Sequence, residues 1–573
     1  MFEFRKGKTV VYEADGETSC MVEMDEEPPH SLNSEAVEAG LQAALMFGSN
    51  PVNEIHVMRK IVIDGSNTSG FQRTCVIALS GSLNVGGREI PIQHVGLEED
   101  AARKTAEQGM VVHYRIDRLG IPLIEVATAP SIHSPEEAQR VAEAIGNILK
   151  ATGRVKRGIG TIRQDLNVSI ADGAMTEIKG VQQLDIISKV VEYEAERQLK
   201  LLEIRDELKK RGLKEQDLQQ NFVYVTEVFR NTSSKVVKDA LARGGVVLAL
   251  KLPGFSGFLG RELQPNVRLG TEMAYRAMLH GGVGGIFHTD ELPKYGITNE
   301  EVEELRRMLS AEPVDAVVIV ADSYENAADG LKAVLDRARE VLKGVPEETR
   351  IAKLDGTTHY MRPRPGAARM YPETDVPPVQ VTGELLSGLK AALPPMPEVL
   401  VKQIMESYGL NSKLAEQLVN SDYLPIFRVI AEKTKIPTTF VATTLTEVFK
   451  NLEREGVQVE NLTEHQLLGV FQLVDEGKTA KESVPDIVTW LAGKPEATPI
   501  QAAEALGLKM LSEDEVNRVI ERRVKENVQL IREKREEAFG KLMNIVMGEL
   551  RGKADAKIVA SLLKMKIKEA SNI

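Results

Sequence analysis

Apolar residues recur at helical spacing in two segments near the start of the chain. In SPEEAQRVAEAIGNILKAT (134–152) they fall every three or four residues and form one stripe, as on an amphipathic helix. Ser134 is a typical N-cap, Pro135 fits the first turn, and Glu137 is placed to complete a capping box. SEAVEAGLQAALMFG (34–48) repeats the period. Both segments are therefore predicted to be helices.

Other segments of the first 260 residues alternate apolar and polar positions, as half-buried strands do. They are CVIALSGSLNV (75–85), EIPIQHVGLEE (89–99), GMVVHYRID (109–117) and TIRQDLNVSI (161–170). Several are close enough in sequence to form antiparallel hairpins. We expect an α+β core with a mixed or antiparallel sheet.

The pattern changes near Pro265 and again after Met361. Between them lie a helical segment (TEMAYRAMLH), a glycine turn (GGVGG), a buried strand (DAVVIVAD) and a long helix (NAADGLKAVLDRAREVL), which together predict an inserted α/β domain. The proline cluster LPPMPEV and the break GKPEATP mark two linkers, with helical periodicity after the first. The predicted layout is a core of 1–264 and 362–393, an insert of 265–361, an all-helical domain of 394–498 and a tail domain of 499–573.

Composition narrows the class of protein. The 573 residues are 42% hydrophobic and 27% charged, with a net charge of -12, which favours a folded multidomain protein and argues against a protein that coats nucleic acid non-specifically. Its two cysteines, Cys20 and Cys75, are too few for a disulfide framework or a four-cysteine zinc site. Apolar runs are too short to span a bilayer and no signal segment opens the chain. We expect a cytoplasmic protein.

Glu125 is the most unusual residue of the apolar segment RIDRLGIPLIEVAT (115–128). A carboxylate buried without a partner protonates, pairs with a cation or binds a metal. About 26 positions earlier, Glu98, Glu99 and Asp100 end a predicted strand, and paired strands can bring two carboxylates together. Oxygen ligands without His or Cys favour a hard ion such as Mg²⁺. A structural ion pair with Arg115 or Arg118 is the alternative.

Basic residues accompany further acidic ones in RVKRGIGTIRQDLNVSI (154–170) and TEIKG (176–180). This unit holds, among others, Arg157, Arg163, Asp165 and Lys179. Cations around an acidic metal centre are suited to phosphoryl transfer, because the charge that develops on the phosphoryl oxygens needs fixed positive groups. MRKIVIDGSNTSGFQRT (58–74) adds Arg59, Lys60 and Arg73 around a Gly/Ser/Asn-rich turn whose amides could face phosphate. We find no Walker loop, so a nucleotide site here would not be a P-loop.

Several long motifs, in one order, resemble a known family. They are MRKIVIDGSNTSGFQRT, EEDAARK, RLGIPLIEV, VKRGIGTIRQDLNVSI, EIKGVQQLD and RMYPETDVPP. They are similar to the GatB/GatE family of glutamyl-tRNA(Gln) amidotransferase subunits, and within it to the archaeal E subunits. The likeness covers nearly the entire chain. GIFHTDELPKYGIT in the predicted insert looks like the extra domain of bacterial aspartyl-tRNA synthetases.

The resemblance implies a two-step activity on glutamate misacylated onto tRNA(Gln). ATP phosphorylates the side-chain carboxylate, and ammonia then displaces phosphate to give glutaminyl-tRNA. An asparaginase-like D subunit would supply the ammonia, in a heterotetramer of two D and two E subunits. The implied cofactors are ATP and Mg²⁺. The implied catalytic and metal-binding residues are Glu99, Glu125 and Asp165, and the implied phosphate contacts are Arg163, Lys179, Arg59 and Lys60.

The chain departs from the family at its start. Family members begin with a strand that carries a Gly-Leu-Glu-x-His motif followed by a Cys-x-Cys stretch, and the chain opens with MFEFRKGKTV instead. The missing Glu and His are family metal ligands. Either Met1 is an internal methionine taken as the start, or the product is shortened and its metal site impaired.

The last 33 residues carry seven basic and three acidic side chains, a local asymmetry on an acidic chain. The family's tail domain contacts tRNA, and we expect Lys564, Lys566 and Lys568 to do so. A solvated helix face is the alternative. For the whole chain, the alternative function is a non-catalytic tRNA-binding scaffold, in which the acidic cluster is only structural.

Overall fold

The structure is a computed structural model of the chain. It describes residues 9–109, 111–156, 160–364, 369–508, 510–511, 513–534, 538–550, 553–554 and 556–571. The chain divides into two compact units, Met1–Pro394 and Pro395–Ile573.

The first unit contains the strands and eight of the described helices. The strands are β1 (Thr9–Glu13), β2 (Asn50–Pro51), β3 (Glu54–Ile55), β4 (Met58–Ile61), β5 (Phe71–Leu79), β6 (Ser82–Val85), β7 (Arg88–Glu99), β8 (Arg103–Gln108), β9 (Val111–Arg115), β10 (Pro122–Thr128), β11 (Gln164–Val168), β12 (Thr176–Val181), β13 (Phe222–Tyr224), β14 (Val246–Leu252), β15 (Glu262–Gln264), β16 (Val267–Arg268), β17 (Phe287–His288), β18 (Ala316–Asp322), β19 (Glu348–Ala352), β20 (Thr358–Pro363), β21 (Met370–Pro372) and β22 (Val379–Gln380). The helices are α1 (Ser34–Met46), α2 (Pro135–Ala151), α3 (Ile187–Lys210), α4 (Lys235–Ala242), α5 (Leu269–Gly281), α6 (Asn299–Met308), α7 (Tyr324–Lys343) and α8 (Gly383–Ala391).

The largest sheet has the order β10-β7-β5-β4-β21, with β2 joined to β5 and β6 to β7. Its pairs are antiparallel, as expected for strands joined by short turns. Helix α1 covers part of this sheet and approaches it closely. A Cβ added at Gly40 would lie 2.6 Å from Cδ1 of Ile77, so a larger residue there would force the Ile77 side chain to move.

A second sheet, β13-β14-β18-β17, lies between two layers of helices. One face of β14 and β18 packs with α5 and α7, and the other face packs with residues of α4 and α6. Burial on both faces explains the unbroken apolar run of β18. This sheet takes two strands from before residue 265 and two from within 265–361.

A third sheet, β11-β12-β19-β20, joins distant parts of the sequence. β11 and β12 form an antiparallel hairpin, and β19 adds to β12 in parallel. Helices α2 and α3 cover its apolar side through a cluster that includes Ala138, Ile178 and Val190. The remaining sheets are β1-β9-β8, β15-β16 and β22-β3.

A network of buried charges lies among α3, α5, α7 and β19. Glu272 of α5 contacts three guanidiniums: Arg197 at 3.1 Å, Arg337 at 2.7 Å and Arg350 at 3.0 Å. Glu348 continues the network to Arg276 at 2.7 Å. These side chains are 8% exposed or less. Charges at such burial persist only when each is paired, and the sequence patterns did not predict this network.

The second unit is helical throughout its described part. Its helices are α9 (Pro397–Tyr408), α10 (Ser412–Asn420), α11 (Leu424–Lys433), α12 (Thr438–Thr443), α13 (Phe449–Arg454), α14 (Glu464–Asp475), α15 (Val484–Ala492), α16 (Pro499–Ala505), α17 (Glu513–Glu526), α18 (Val528–Lys534), α19 (Ala538–Leu550) and α20 (Ala556–Ser571). Two apolar cores hold them. One runs from Ile404 to Leu508 and includes α16, and the other runs from Val516 to Ile567.

The predicted α+β class with antiparallel sheets and helical C-terminal segments is confirmed. The helix predicted at 134–152 is α2, and Ser134 accepts a hydrogen bond from the Glu137 amide at 3.2 Å. The capping box differs in one respect. The Glu137 carboxylate accepts its backbone hydrogen bond from His133, at 2.8 Å, rather than from Ser134.

Candidate active site

Glu125 lies on β10, at one end of the largest sheet, and its side chain is exposed. The expectation that this carboxylate is buried is therefore wrong. β10 has a neighbour on one side only, so its apolar residues are partly covered and its alternate positions reach solvent. The residue directly opposite is Gly96. An oxygen of Glu125 lies 3.7 Å from the position that a Cβ on Gly96 would take, so the carboxylate extends over the neighbouring strand.

The predicted pair of Glu99 and Glu125 is not formed. Glu99 is opposite Pro122 in the register and Glu98 is opposite Leu123. Because opposite residues share a face and successive residues alternate, Glu98 lies on the face of Glu125 and Glu99 lies on the other face. The carboxylate beside Glu125 is therefore that of Glu98, one of the three candidates in the sequence, and not that of Glu99, which the family resemblance implies.

On the other face, Glu99 is paired with a guanidinium. Arg73 Nε donates to both carboxylate oxygens of Glu99 at 2.9 Å. Burial raises the pKa of Glu99 above its ordinary value, although Arg73 opposes this shift. Arg59, a predicted phosphate contact, is on the same face. Its guanidinium donates to Glu373 at 2.6 and 2.7 Å and to Asp375 at 3.0 Å.

A cleft of about 3730 Å³ opens on the face of Glu98 and Glu125. Its walls come from the largest sheet, helix α2 and the hairpin β11-β12. Five predicted site residues line it: Lys60, Glu125, Arg163, Asp165 and Lys179. Arg59 and Glu99 are not among the lining residues. The structure thus brings most of the predicted set together and separates two members from it.

The β11-β12 hairpin carries a compact charged group. Lys179 Nζ donates to Asp165 at 2.8 Å and lies 3.2 Å from Glu177, which accepts a hydrogen bond from Thr349 at 2.7 Å. Burial acts to lower the pKa of Lys179, but Asp165 and Glu177 together raise it above its ordinary value. This lysine is positively charged at neutral pH. Arg157, predicted in the same group, lies outside the described residues.

The two other predicted cations of the cleft, Lys60 and Arg163, also have carboxylate partners. Lys60 donates to Glu98, which also accepts from Gln72 Nε2 at 2.7 Å. Arg163 donates to Asp100 at 3.2 Å. The alternative in which Arg115 or Arg118 neutralises Glu125 is wrong, since Arg118 pairs with Asp100 at 2.8 Å and Arg115 lies 3.8 Å from Asp117.

The carboxylates on this face of the sheet suit a Mg²⁺ ion that takes its remaining ligands from water and phosphate. Among the described residues, no three His, Cys, Asp or Glu side chains gather closely enough to hold a metal ion alone. Mg²⁺ commonly takes one or two protein carboxylates and completes its shell with water and phosphate oxygens. Glu98 and Glu125, diagonal neighbours on one face, provide two such carboxylates.

Several arginines of the cleft, among them Arg362 and Arg369, were not among the predicted site residues. Arg362 lies near the end of β20 and Arg369 directly precedes β21, and both line the cleft. Their only signal in the sequence is membership of MRPRPGAARMYPETDVPP (361–378), where strand and turn character resumes. Such a segment has no periodicity that would assign a side chain to a face.

In the second unit, α20 carries the three predicted lysines. Lys564 and Lys568 are exposed, and Lys564 Nζ lies 5.2 Å from the centre of the Phe539 ring. Lys566 lies between two carboxylates, 2.9 Å from Glu521 and 3.2 Å from Glu569. Its charge is therefore already compensated. Within the described residues, no helix combines the length and apolar character needed to cross a membrane.

Comparison with known proteins gives two family matches. A model of the GatB/GatE catalytic domain matches residues 10–387, and a model of the GatB domain matches residues 426–567. The chain is similar to proteins named as the E subunit of glutamyl-tRNA(Gln) amidotransferase. The relative from Methanocaldococcus jannaschii is 48% identical over 99% of this chain and 90% of its own length. Those from Aeropyrum pernix and Thermococcus gammatolerans are 48% and 49% identical over 99% of this chain, and 89% and 90% of their own length.

Proposed function

Because the chain belongs to the GatB/GatE family, we propose that it is the component of a tRNA-dependent amidotransferase that converts glutamate on tRNA(Gln) to glutamine. In the first step an oxygen of the glutamate side chain attacks the γ-phosphorus of ATP and ADP leaves. In the second step ammonia attacks the acyl carbon, phosphate leaves, and the amide loses a proton. The resulting product is Gln-tRNA(Gln).

The observation that carries this proposal is the face of the largest sheet that opens into the cleft. Glu98 and Glu125 would hold Mg²⁺ there, and the ion would supply positive charge to the phosphate oxygens when bound. We assign Glu98 rather than Glu99 to the metal ion, because the Glu98 side chain lies on the face of the sheet that opens into the cleft. Lys179 and Arg163 are oriented by Asp165 and Asp100 and present positive charge to the same space, which suits a transition state with charge spread over phosphoryl oxygens.

Further parts of the assembly belong to the same proposal. The name of the relatives designates one component of a larger enzyme and so implies a partner chain. We assign to that partner, an asparaginase-like D subunit, the release of ammonia in a complex of two D and two E subunits. Residues 265–361 would be the inserted domain, and α20 would contact tRNA through Lys564 and Lys568.

The test is a direct assay of the full chain. With Glu-tRNA(Gln), ATP, Mg²⁺ and ammonium chloride in place of the partner, we expect Gln-tRNA(Gln), ADP and phosphate in equal amounts. Omission of Mg²⁺ or ATP should abolish the product. If no turnover appears even with the D subunit present while tRNA still binds, the chain is a tRNA-binding scaffold and the proposal fails.

A further inference from the structure

Two arginines bring positive charge into the cleft from separate sheets. Arg362 lies in β20, an edge strand of the sheet β11-β12-β19-β20, and Arg369 precedes β21, an edge strand of the largest sheet. Both line the cleft. Met370, the residue after Arg369, is opposite Lys60 in the register, so Arg369 stands beside the wall that carries Glu98.

Neither arginine has a carboxylate at bonding distance in the part of the chain that the structure describes. The Nε atom of Arg362 is buried and makes no hydrogen bond. Arg369 is half-buried, and burial together with the nearby charge of Arg362 lowers its pKa. Two guanidiniums near one another, one with an orphaned buried donor, are an unfavourable arrangement unless an anion occupies the space between them.

Three carboxylates, Glu177, Glu98 and Asp64, act electrostatically on Arg369, and each accepts hydrogen bonds from other groups, Asp64 from Ser66. Glu177 accepts from Thr349 and lies against Lys179, and Glu98 accepts from Lys60 and Gln72. The positive charge of Arg362 and Arg369 is therefore in excess. By contrast, the positive charges of Lys60, Arg163 and Lys179 are each in contact with a carboxylate.

We propose that Arg362 and Arg369 form the site that binds the terminal phosphates of the nucleotide. This assignment rests on the proposed function, because it places the polyphosphate of ATP in the same cleft. Arginine presents a planar fork of donors that matches phosphate oxygens. A terminal phosphate carries nearly two negative charges at neutral pH, whereas each phosphodiester of RNA carries one. A pair of adjacent cations therefore matches a nucleotide better than an RNA backbone.

The test measures binding by the full chain without turnover. Equilibrium constants are determined for inorganic tripolyphosphate, ATP and AMP with wild type, Arg362→Met and Arg369→Met. We expect each variant to bind tripolyphosphate and ATP about tenfold more weakly or worse, and to bind AMP nearly as wild type does. Arg362→Lys and Arg369→Lys should recover part of the affinity, since the charge remains and the fork is lost.

Arg230→Met is the matched control. Arg230 is exposed, pairs with Glu227 at 2.6 Å and is not part of the cleft lining, so its variant should bind all three ligands as wild type does. Thermal unfolding of each variant shows that the fold is retained. Unchanged tripolyphosphate affinity in both Met variants overturns the proposal. The affinity of each variant for tRNA is measured as well, and a loss confined to tRNA binding also overturns the proposal, because the pair would then contact RNA.

These outcomes are separable from those of the proposed function. If wild type binds tripolyphosphate through the two arginines and yet makes no Gln-tRNA(Gln), the proposed function fails and the phosphate site stands. If wild type makes Gln-tRNA(Gln) and both Met variants bind ATP normally, the phosphate site alone fails.

Discussion

At the scale of single residues, the absence of a side chain at position 96 sets the surroundings of Glu125. The carboxylate lies over Gly96, and a larger residue there would fill the space. Glu125 is exposed at the edge of the sheet and pairs with neither Arg115 nor Arg118, which suits a group that binds a metal ion rather than one that stabilises the fold. Glu99, one strand away on the opposite face, is instead paired with Arg73.

Glutamine in place of each of these two glutamates should have a different effect on turnover. We expect Glu125→Gln to abolish ATP-dependent formation of Gln-tRNA(Gln), with tRNA affinity and the free energy of unfolding nearly unchanged. Glu99→Gln should instead retain turnover and change the free energy of unfolding by no more than about 1 kcal/mol, because burial already disfavours the charged form of Glu99 and glutamine still offers Arg73 an acceptor. Product assays and urea unfolding of both variants check this. Full activity of Glu125→Gln would contradict the metal assignment.

At the scale of elements, the first unit depends on ion pairs that join α3, α5, α7 and β19. Burial acts to raise the pKa of Glu272, but Arg350, Arg197 and Arg337 together hold it well below the ordinary range. The same balance, with Arg350, Arg197 and Arg276, lowers the pKa of Glu348. Such a network fixes the relative positions of its helices because each charge has partners only in this arrangement.

Removal of one charge from this network should lower the free energy of unfolding. Glu272→Gln leaves three buried guanidiniums short of negative charge, and we expect the free energy of unfolding to fall by about 3–5 kcal/mol. The control is Glu207→Gln on α3, whose pair with Arg261 is on the surface and should contribute at most about 1 kcal/mol. Urea unfolding measures both. Equal decreases in the free energy of unfolding of the two variants would show that the buried network stabilises the fold no more than a surface ion pair does.

In the second unit, α20 is the element that we propose to contact tRNA. Lys564→Ala with Lys568→Ala should weaken tRNA binding and reduce the slope of log affinity against log salt concentration by about 2, one per lost phosphate contact. Lys566→Ala should have a smaller effect, because Glu521 and Glu569 already compensate its charge. Filter binding over a range of salt concentrations distinguishes them. An unaltered slope in the double variant would assign the lysines to a solvated helix face.

At the scale of the whole molecule, the two units differ in how they hold charge. The fully buried carboxylates Glu272 and Glu348 are in the first unit, whereas the cores of the second unit are apolar. The chain has one tryptophan, Trp490, in α15 of the second unit. Its fluorescence therefore reports on the second unit, and circular dichroism reports on both.

Acid should unfold the first unit before the second. A carboxyl group with a lowered pKa in the folded state contributes stability above its ordinary pKa, about 4.3 for Glu, and loses this contribution as pH falls below that value. We expect the ellipticity of the first unit to be lost between about pH 4.5 and pH 2 while Trp490 fluorescence changes little. Glu272→Gln should make the pH dependence shallower. Coincident transitions of the two signals, shifting together with pH, would contradict this.

Sequence patterns determined the elements of this protein. The helices α1, α2, α5 and α7 and the strands β7 and β18 follow the predicted segments, because helical and strand periodicity are local properties of consecutive residues. The long motifs also determined the family. The residue types gathered in the cleft, carboxylates with lysine and arginine, follow from the same motifs.

Tertiary structure alone decided which face each side chain occupies. Glu98 and Glu99 are neighbours in the sequence, and only the register of β7 with β10 places the first beside Glu125 and the second against Arg73. A shift of one residue would exchange them, and no local pattern fixes that register. For the same reason the buried network around Glu272 and the placement of Arg362 and Arg369 in the cleft emerged only from the packing of elements that are distant in sequence.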